Sequence, residues 1–141
     1  RASHAYNGRR TARTETMYLV GGCSYVYFTY GMYHCLNFVT EAKDFPAAVL
    51  IRSIIPVEGE NLLLKNRLKS SKAMNISIKN LSNGPGKVCQ SLNLNCSYNG
   101  IDLITSNQFY ILDSGKTPKF KRTTRIGISK GKNLKWRFYY N

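Results

Sequence analysis

Apolar and polar positions alternate most regularly between Ser24 and Thr40. There Tyr25, Tyr27 and Thr29 interleave with Val26, Phe28 and Tyr30 at the period of two that a β-strand requires, and Gly31 supplies permissive turn backbone before a second apolar run. The pattern predicts a tight β-hairpin with tyrosine at its tip, one face available to a core and the other to a ligand. An ordinary amphipathic hairpin has the same pattern, because aromatics are favoured in strands. Residues 47–55 form a continuous apolar run broken only by Arg52 and closed by Pro56, which predicts a short buried strand with Arg52 partly buried. A helix is predicted over 57–70, around Leu62, Leu63 and Leu64, and the Lys- and Asn-rich connection to Asn83 reads as a mobile surface loop. Asn83-Gly84-Pro85-Gly86-Lys87 then precedes VCQSLNL. A Gly-rich turn there feeds a helix whose first N–H groups are open to an anion, with Lys87 beside them, and the same residues equally make a plain helix start. Strands are predicted at 108–112, 124–129 and 135–140, while residues 1–16 read as a polar loop and short helix with nothing to offer a core. These elements make an α+β fold: a single compact domain over 1–141, with an antiparallel sheet and helices packed on it.

Composition narrows the class. A chain of 141 residues with 43% hydrophobic residues is long enough to build its own core, and no apolar run approaches the ~18 residues of a membrane span, so a soluble protein is expected. The cysteines at 23, 35, 89 and 96 form no CxxC pair, which favours reduced core thiols and an intracellular setting. With only His4 and His34 as imidazoles, neither at metal-ligand spacing from an acid, no metal and no other cofactor is expected. The net charge of +14 changes the picture most. It calls for a polyanionic partner, nucleic acid first, and residues 114–141 are rich in Lys and Arg without a single acid.

Asn37 and Arg52 interrupt apolar strand runs, where each needs hydrogen-bond partners. With His4 and Tyr27 they can line a polar, aromatic pocket of the kind that holds an extruded nucleobase, or they can be ordinary buried polar groups.

Six blocks of the sequence bear on that choice: SHAYNGRRTART at 3–14, YVYFTYGMYHCLN at 25–37, VLIRSIIPVEG at 49–59, NGPGKVCQSLNL at 83–94, RIGIS at 125–129 and WRFYY at 136–140. In this order they resemble the alkyladenine (3-methyladenine) DNA glycosylase family of base-excision repair. The resemblance implies a curved antiparallel sheet with a protruding hairpin and surrounding helices, and a monomer acting on double-stranded DNA. It implies that Tyr30 wedges into the duplex as the damaged purine flips out, that His4 and Tyr27 sandwich that purine, and that Asn37 crowds the amino group of intact guanine. Arg52 would help hold the attacking water, and Arg9, Thr11, Met32, Tyr33, Gly84 and Lys87 would touch the DNA backbone or its flanks.

One departure matters. The family places a Glu-x-Glu-x-Tyr-like element before the SHAY-type block, its second Glu activating water and its Tyr stacking on the base. The 141 residues begin after that point, at Arg1 rather than Met, and Glu15, Glu41, Asp44, Glu58, Glu60, Asp102 and Asp113 all lie in other contexts. The expectation is an N-terminally incomplete, monofunctional glycosylase domain whose general base is not in this chain; a non-catalytic binder of damaged DNA and a generic polyanion binder are the alternatives. Bacterial cytoplasm and eukaryotic nucleus both suit it. TMYLVGG at 16–22, where the family has Met-Phe and a Gly/Pro-rich turn, alters a loop.

Overall fold

Successive residues of the hairpin point to opposite faces of the sheet, and in the computed structural model, which describes residues 2–70 and 75–140, both faces are covered at its root. Strand β1, Ser24–Thr29, pairs antiparallel with β2, Tyr33–Val39, and β2 with β3, Ala48–Leu50. The register sets Tyr25 opposite Asn37, Val26 opposite Leu36 and Tyr27 opposite Cys35. Tyr25 and Val39 therefore share one face, where they pack with Ala5, Met17 and Tyr18. Val26 and Leu36 share the other, where they pack with Val88, Cys89 and Leu94. The expectation of one core face and one ligand face thus fails at the root, because segments from both sides of the hairpin in sequence fold over it. It fails for residues 1–16 as well: Ala5, Thr14 and Thr16 are buried.

The turn follows the pattern. Tyr30 and Gly31 both take left-handed backbone, with φ of 53° and 65°, a pairing whose twist matches the flanking strands. Loop 98–101 protects the outer edge of β1, where Val26 N–H donates to the Asn99 side chain at 3.0 Å and Gly100 N–H to the Ser24 carbonyl at 2.8 Å.

Helix α1 is Glu60–Ser70, three residues shorter at its start than predicted, and α2 is Pro85–Ser91 with Gly84 as its N-cap and Pro at its first position. Of the four leucines in α1 only Leu63 is buried, and Leu62 lies in solvent. The Lys- and Asn-rich connection is not simply a surface loop. It ends in a short 3-10 turn, Ile78–Asn80, and then in Leu81 and Ser82, which are buried; the predicted loop at 71–74 lies outside the described residues.

The predicted strand at 135–140 contains one, but the other three strand predictions need correction. Instead of a buried strand over 47–55, β3 is a three-residue strand with Val49 half exposed. Residues 108–112 run irregularly, tied by Ile111 N–H to the Leu103 carbonyl at 2.9 Å. A separate two-stranded sheet joins β4, Lys121–Thr123, to β5, Arg137–Tyr139, so pairing begins before the predicted 124–129 segment. Gly127, at φ 73°, bends that segment away from a strand path. Among the described residues two α-helices and antiparallel sheets make the fold α+β.

Candidate functional site

The hairpin register brings most of the predicted pocket to one sheet face. Tyr27 lies opposite Cys35, and Asn37 opposite both Tyr25 and, on its other side, Leu50. Burial pushes the Cys35 thiol up, and Arg52, two residues beyond Leu50 and half-buried as expected, lies close enough for its charge to oppose that shift. Its guanidinium donates to the Ile126 carbonyl at 2.8 Å, and a Cβ on Gly127 would meet Arg52 Nη2 at 3.3 Å. The left-handed glycine thus does two things: it turns the chain, and it leaves room for the arginine. Asn37 is buried and donates through Nδ2 to the Tyr25 carbonyl at 3.0 Å, which locks its rotamer against the strand.

His4 arrives from the N-terminal segment, which the burial of Ala5 anchors against the same face. Its Nδ1 lies 2.9 Å from the Tyr25 hydroxyl, and its ring abuts Tyr27 with centroids 4.6 Å apart and planes at 80°. The two rings meet edge to face, so a purine stacked between them requires one ring to turn. Burial, followed by the charge of Arg13, holds the His4 imidazole below its ordinary value of 6.5. Burial together with the Cys35 thiol pushes the Tyr27 phenol well above the usual tyrosine range. Both groups are therefore neutral at pH 7 and able to hydrogen-bond or stack without a charge of their own.

The lowered His4 value has a direct consequence. The native state resists protonating His4, the unfolded chain does not, and stability present above pH 6.5 is lost as pH falls through the lower native value. In an NMR titration the His4 ring signals should move below pH 6.5, and replacing Arg13 with Met should shift that midpoint upward. A midpoint that ignores the substitution would remove Arg13 from the electrostatics around His4.

Arg13 is a site residue that motif reading passed over. Its guanidinium lies 4.8 Å from the Tyr27 ring centroid and donates to the Phe28 carbonyl at 3.3 Å. Tyr25 and Cys35 were missed too, although a period of two along β1 places Tyr25 beside Tyr27.

At the tip, Tyr30 is 83% exposed and Met32 64%, with Tyr33 also in solvent. Tyr33 backs onto α2, where a Cβ on Gly86 would meet its ring at 3.1 Å. Lys87 folds back to donate to the Asn83 side chain at 2.7 Å, beside Gly84. Arg9 and Thr11 are exposed; the Arg9 carbonyl accepts from Thr14 Oγ1, which in turn accepts from Thr11 N–H. Arg10 between them bridges Glu15 at 2.6 Å and Asp44 at 3.0 Å and lies over Tyr18.

The remaining acids also sit outside this arrangement. Asp102 and Asp113 close turns by accepting from Ile104 and Gly115 N–H, and Glu41, Glu58 and Glu60 are exposed. The basic character is strongest in the β4–β5 ribbon, where Arg122, Arg125 and Arg137 stack on Phe138, Trp136 and Tyr139. In the described residues no helix is long and apolar enough to cross a membrane.

Comparison with known proteins adds an independent line. A family model described as methylpurine-DNA glycosylase (MPG) matches residues 1–141. A Clostridium perfringens (strain 13 / Type A) protein named "Putative 3-methyladenine DNA glycosylase" is 45% identical over 147 residues, covering 99% of this chain and 72% of its own length. Relatives of the same name from Rickettsia rickettsii (strain Sheila Smith) and Rickettsia felis are 47% and 46% identical, each covering 97% of this chain, which spans 64% and 67% of their lengths. A match over every residue, with relatives this similar across nearly the whole chain, establishes descent: the chain belongs to the methylpurine-DNA glycosylase family.

Proposed function

We propose that this protein is a DNA repair glycosylase, which flips alkylated or deaminated purines out of duplex DNA and hydrolyses their N-glycosidic bond. The observation that carries this reading is the gathering of His4, Tyr27, Asn37 and Arg52 at the root of a hairpin whose tip exposes Tyr30. Each residue has a task that its chemistry allows. Tyr30 fills the gap that the extruded nucleotide leaves. Tyr27 and His4 offer ring faces, and neutral His4 a hydrogen bond as well. Asn37, held rigid by its bond to the Tyr25 carbonyl, crowds an exocyclic amino group and so disfavours intact guanine. Arg52 and the Ile126 carbonyl are a donor and an acceptor side by side, suited to orienting a water near the sugar carbon. Arg9, Thr11, Met32, Tyr33, Gly84 and Lys87 meet the duplex around the lesion.

Alkylation at a ring nitrogen already weakens the glycosidic bond, so catalysis needs chiefly to position water and stabilise developing charge on the sugar. The test is a duplex carrying one hypoxanthine or 7-methylguanine, scored for abasic sites by alkaline strand cleavage on protein of known intact mass. Abasic sites that become breaks only after alkali support a monofunctional glycosylase. Tight, salt-sensitive binding of the damaged duplex without base release would instead support a damage-binding module; that reading draws on the engagement of Glu15, Asp44, Asp102 and Asp113 elsewhere.

A further inference from the structure

Among the described residues Arg67 is the one buried arginine, 7% exposed between α1 and α2. Its Nε donates to the Leu81 carbonyl at 3.1 Å and its Nη1 to Gln90 Oε1, and both acceptors are neutral. Among the described residues both ion pairs belong to Arg10, so no carboxylate compensates the buried guanidinium. An arginine cannot shed its proton, and a buried charge without a counter-ion is unfavourable unless an anion reaches it.

A hollow of about 260 Å³ lies one side chain away from this charge, beyond Gln90 and between the hairpin tip and the two helices, lined in part by Met32, Tyr33, Ser70, Gln90, Asn93 and Asn95. Gln90 links the two: with Oε1 turned to Arg67, its amide hydrogens face away from the guanidinium. Tyr33 is near enough for its phenol to act on Arg67 electrostatically. The lining thus mixes hydrogen-bonding groups, among them Tyr33, Ser70, Gln90, Asn93 and Asn95, with apolar Met32, Cys89 and Leu94, and no acid lies between it and the positive charge. Met32 and Tyr33 follow Tyr30 by two and three residues, so DNA wedged by Tyr30 brings its backbone past this opening.

We infer that this hollow is an anion site that receives one backbone phosphate of the duplex, with Arg67 supplying the charge and Gln90 and Tyr33 supplying donors. The inference rests on the proposed reading of the hairpin as the duplex-contacting element.

The experiment replaces Gln90 with Glu, which gives Arg67 an internal carboxylate and removes its need for a phosphate. Gln108→Glu, on exposed irregular chain, controls for the added charge. Duplex dissociation constants are measured against salt concentration, with thermal unfolding alongside. Q90E should melt no lower than wild type, bind several-fold more weakly at low salt, and lose about 0.9 from the slope of log affinity on log salt, the signature of one phosphate contact. Q108E should keep the slope. If wild type binds duplex and Q90E behaves like Q108E, the site fails and the glycosylase reading stands. If wild type binds no duplex, both fail. Inorganic phosphate, followed through the Arg67 Nε–H resonance, separates the sources: a saturating response in wild type with an unchanged duplex slope in Q90E would assign the hollow to a free anion and overturn the DNA assignment.

Discussion

Replacing Tyr30 with alanine lowers the single-turnover rate of base release by about 10²-fold or more and leaves the melting temperature within about 2 °C of wild type. The asymmetry follows from where the side chain sits. At 83% exposure it buries almost nothing in the native state, and tyrosine and alanine pay a similar cost for left-handed backbone at φ 53°. Whatever Tyr30 does, it does to a partner. Extruding a nucleotide costs a few kcal/mol of unstacking, and a side chain that fills the vacated space recovers part of that; each 1.4 kcal/mol not recovered is about tenfold in rate. Single-turnover kinetics on a hypoxanthine duplex decide it. A variant keeping more than half the wild-type rate would sink the wedge role, and a large drop in melting temperature would show that Tyr30 packs in solution.

Leu36→Ala carries the largest expected cost to the fold. Leu36 is 2% exposed at the middle of the central strand and packs with Val26, Val88, Cys89 and Leu94. Truncating it loses the transfer energy of the removed carbons and leaves a cavity between sheet and helix, which together cost about 2–5 kcal/mol. Against a typical total of about 5–15 kcal/mol that is a large share. Urea denaturation should show a much lower midpoint with a similar slope. A loss below about 1 kcal/mol would mean that α2 settles onto the sheet and closes the gap. The effect should reach the site, because Cys35 and Asn37 flank Leu36 on β2 and point to the opposite face.

The hairpin was legible because its information is local. Period-two alternation, a glycine able to take left-handed backbone and β-branched or aromatic neighbours all act within a few residues, and β1, the turn and β2 follow from them. Helices α1 and α2 were legible for the same reason, through a leucine cluster and a Gly-Pro start. The strands predicted at 108–112 and 124–129 were misread because aromatic and β-branched content says only that a segment can extend. Whether it pairs depends on what lies beside it, and Gly127 redirects the second segment toward Arg52.

The pocket divides along the same line. His4, Tyr27, Asn37 and Arg52 could be named from their blocks, but their arrangement could not. That His4 meets Tyr27 edge to face, that Arg13 stacks on Tyr27, and that Arg67 is buried against neutral acceptors are all outcomes of packing. Polar-looking residues 1–16 offered no hydrophobic stripe, yet Ala5 becomes core, together with Met17 and Tyr18 just beyond them, once the segment folds onto Tyr25 and Val39.

Charge, composition and motif order thus sufficed for family, α+β class and the positive sign of the surface, since each is a sum or a short pattern over the chain. Which residues meet on the Tyr27 face of the sheet, which buried cation among the described residues has no carboxylate beside it and where a hollow opened were decided by the tertiary structure. Contacts between residues tens of positions apart depend on shape complementarity and mutual burial, and a local pattern does not encode either.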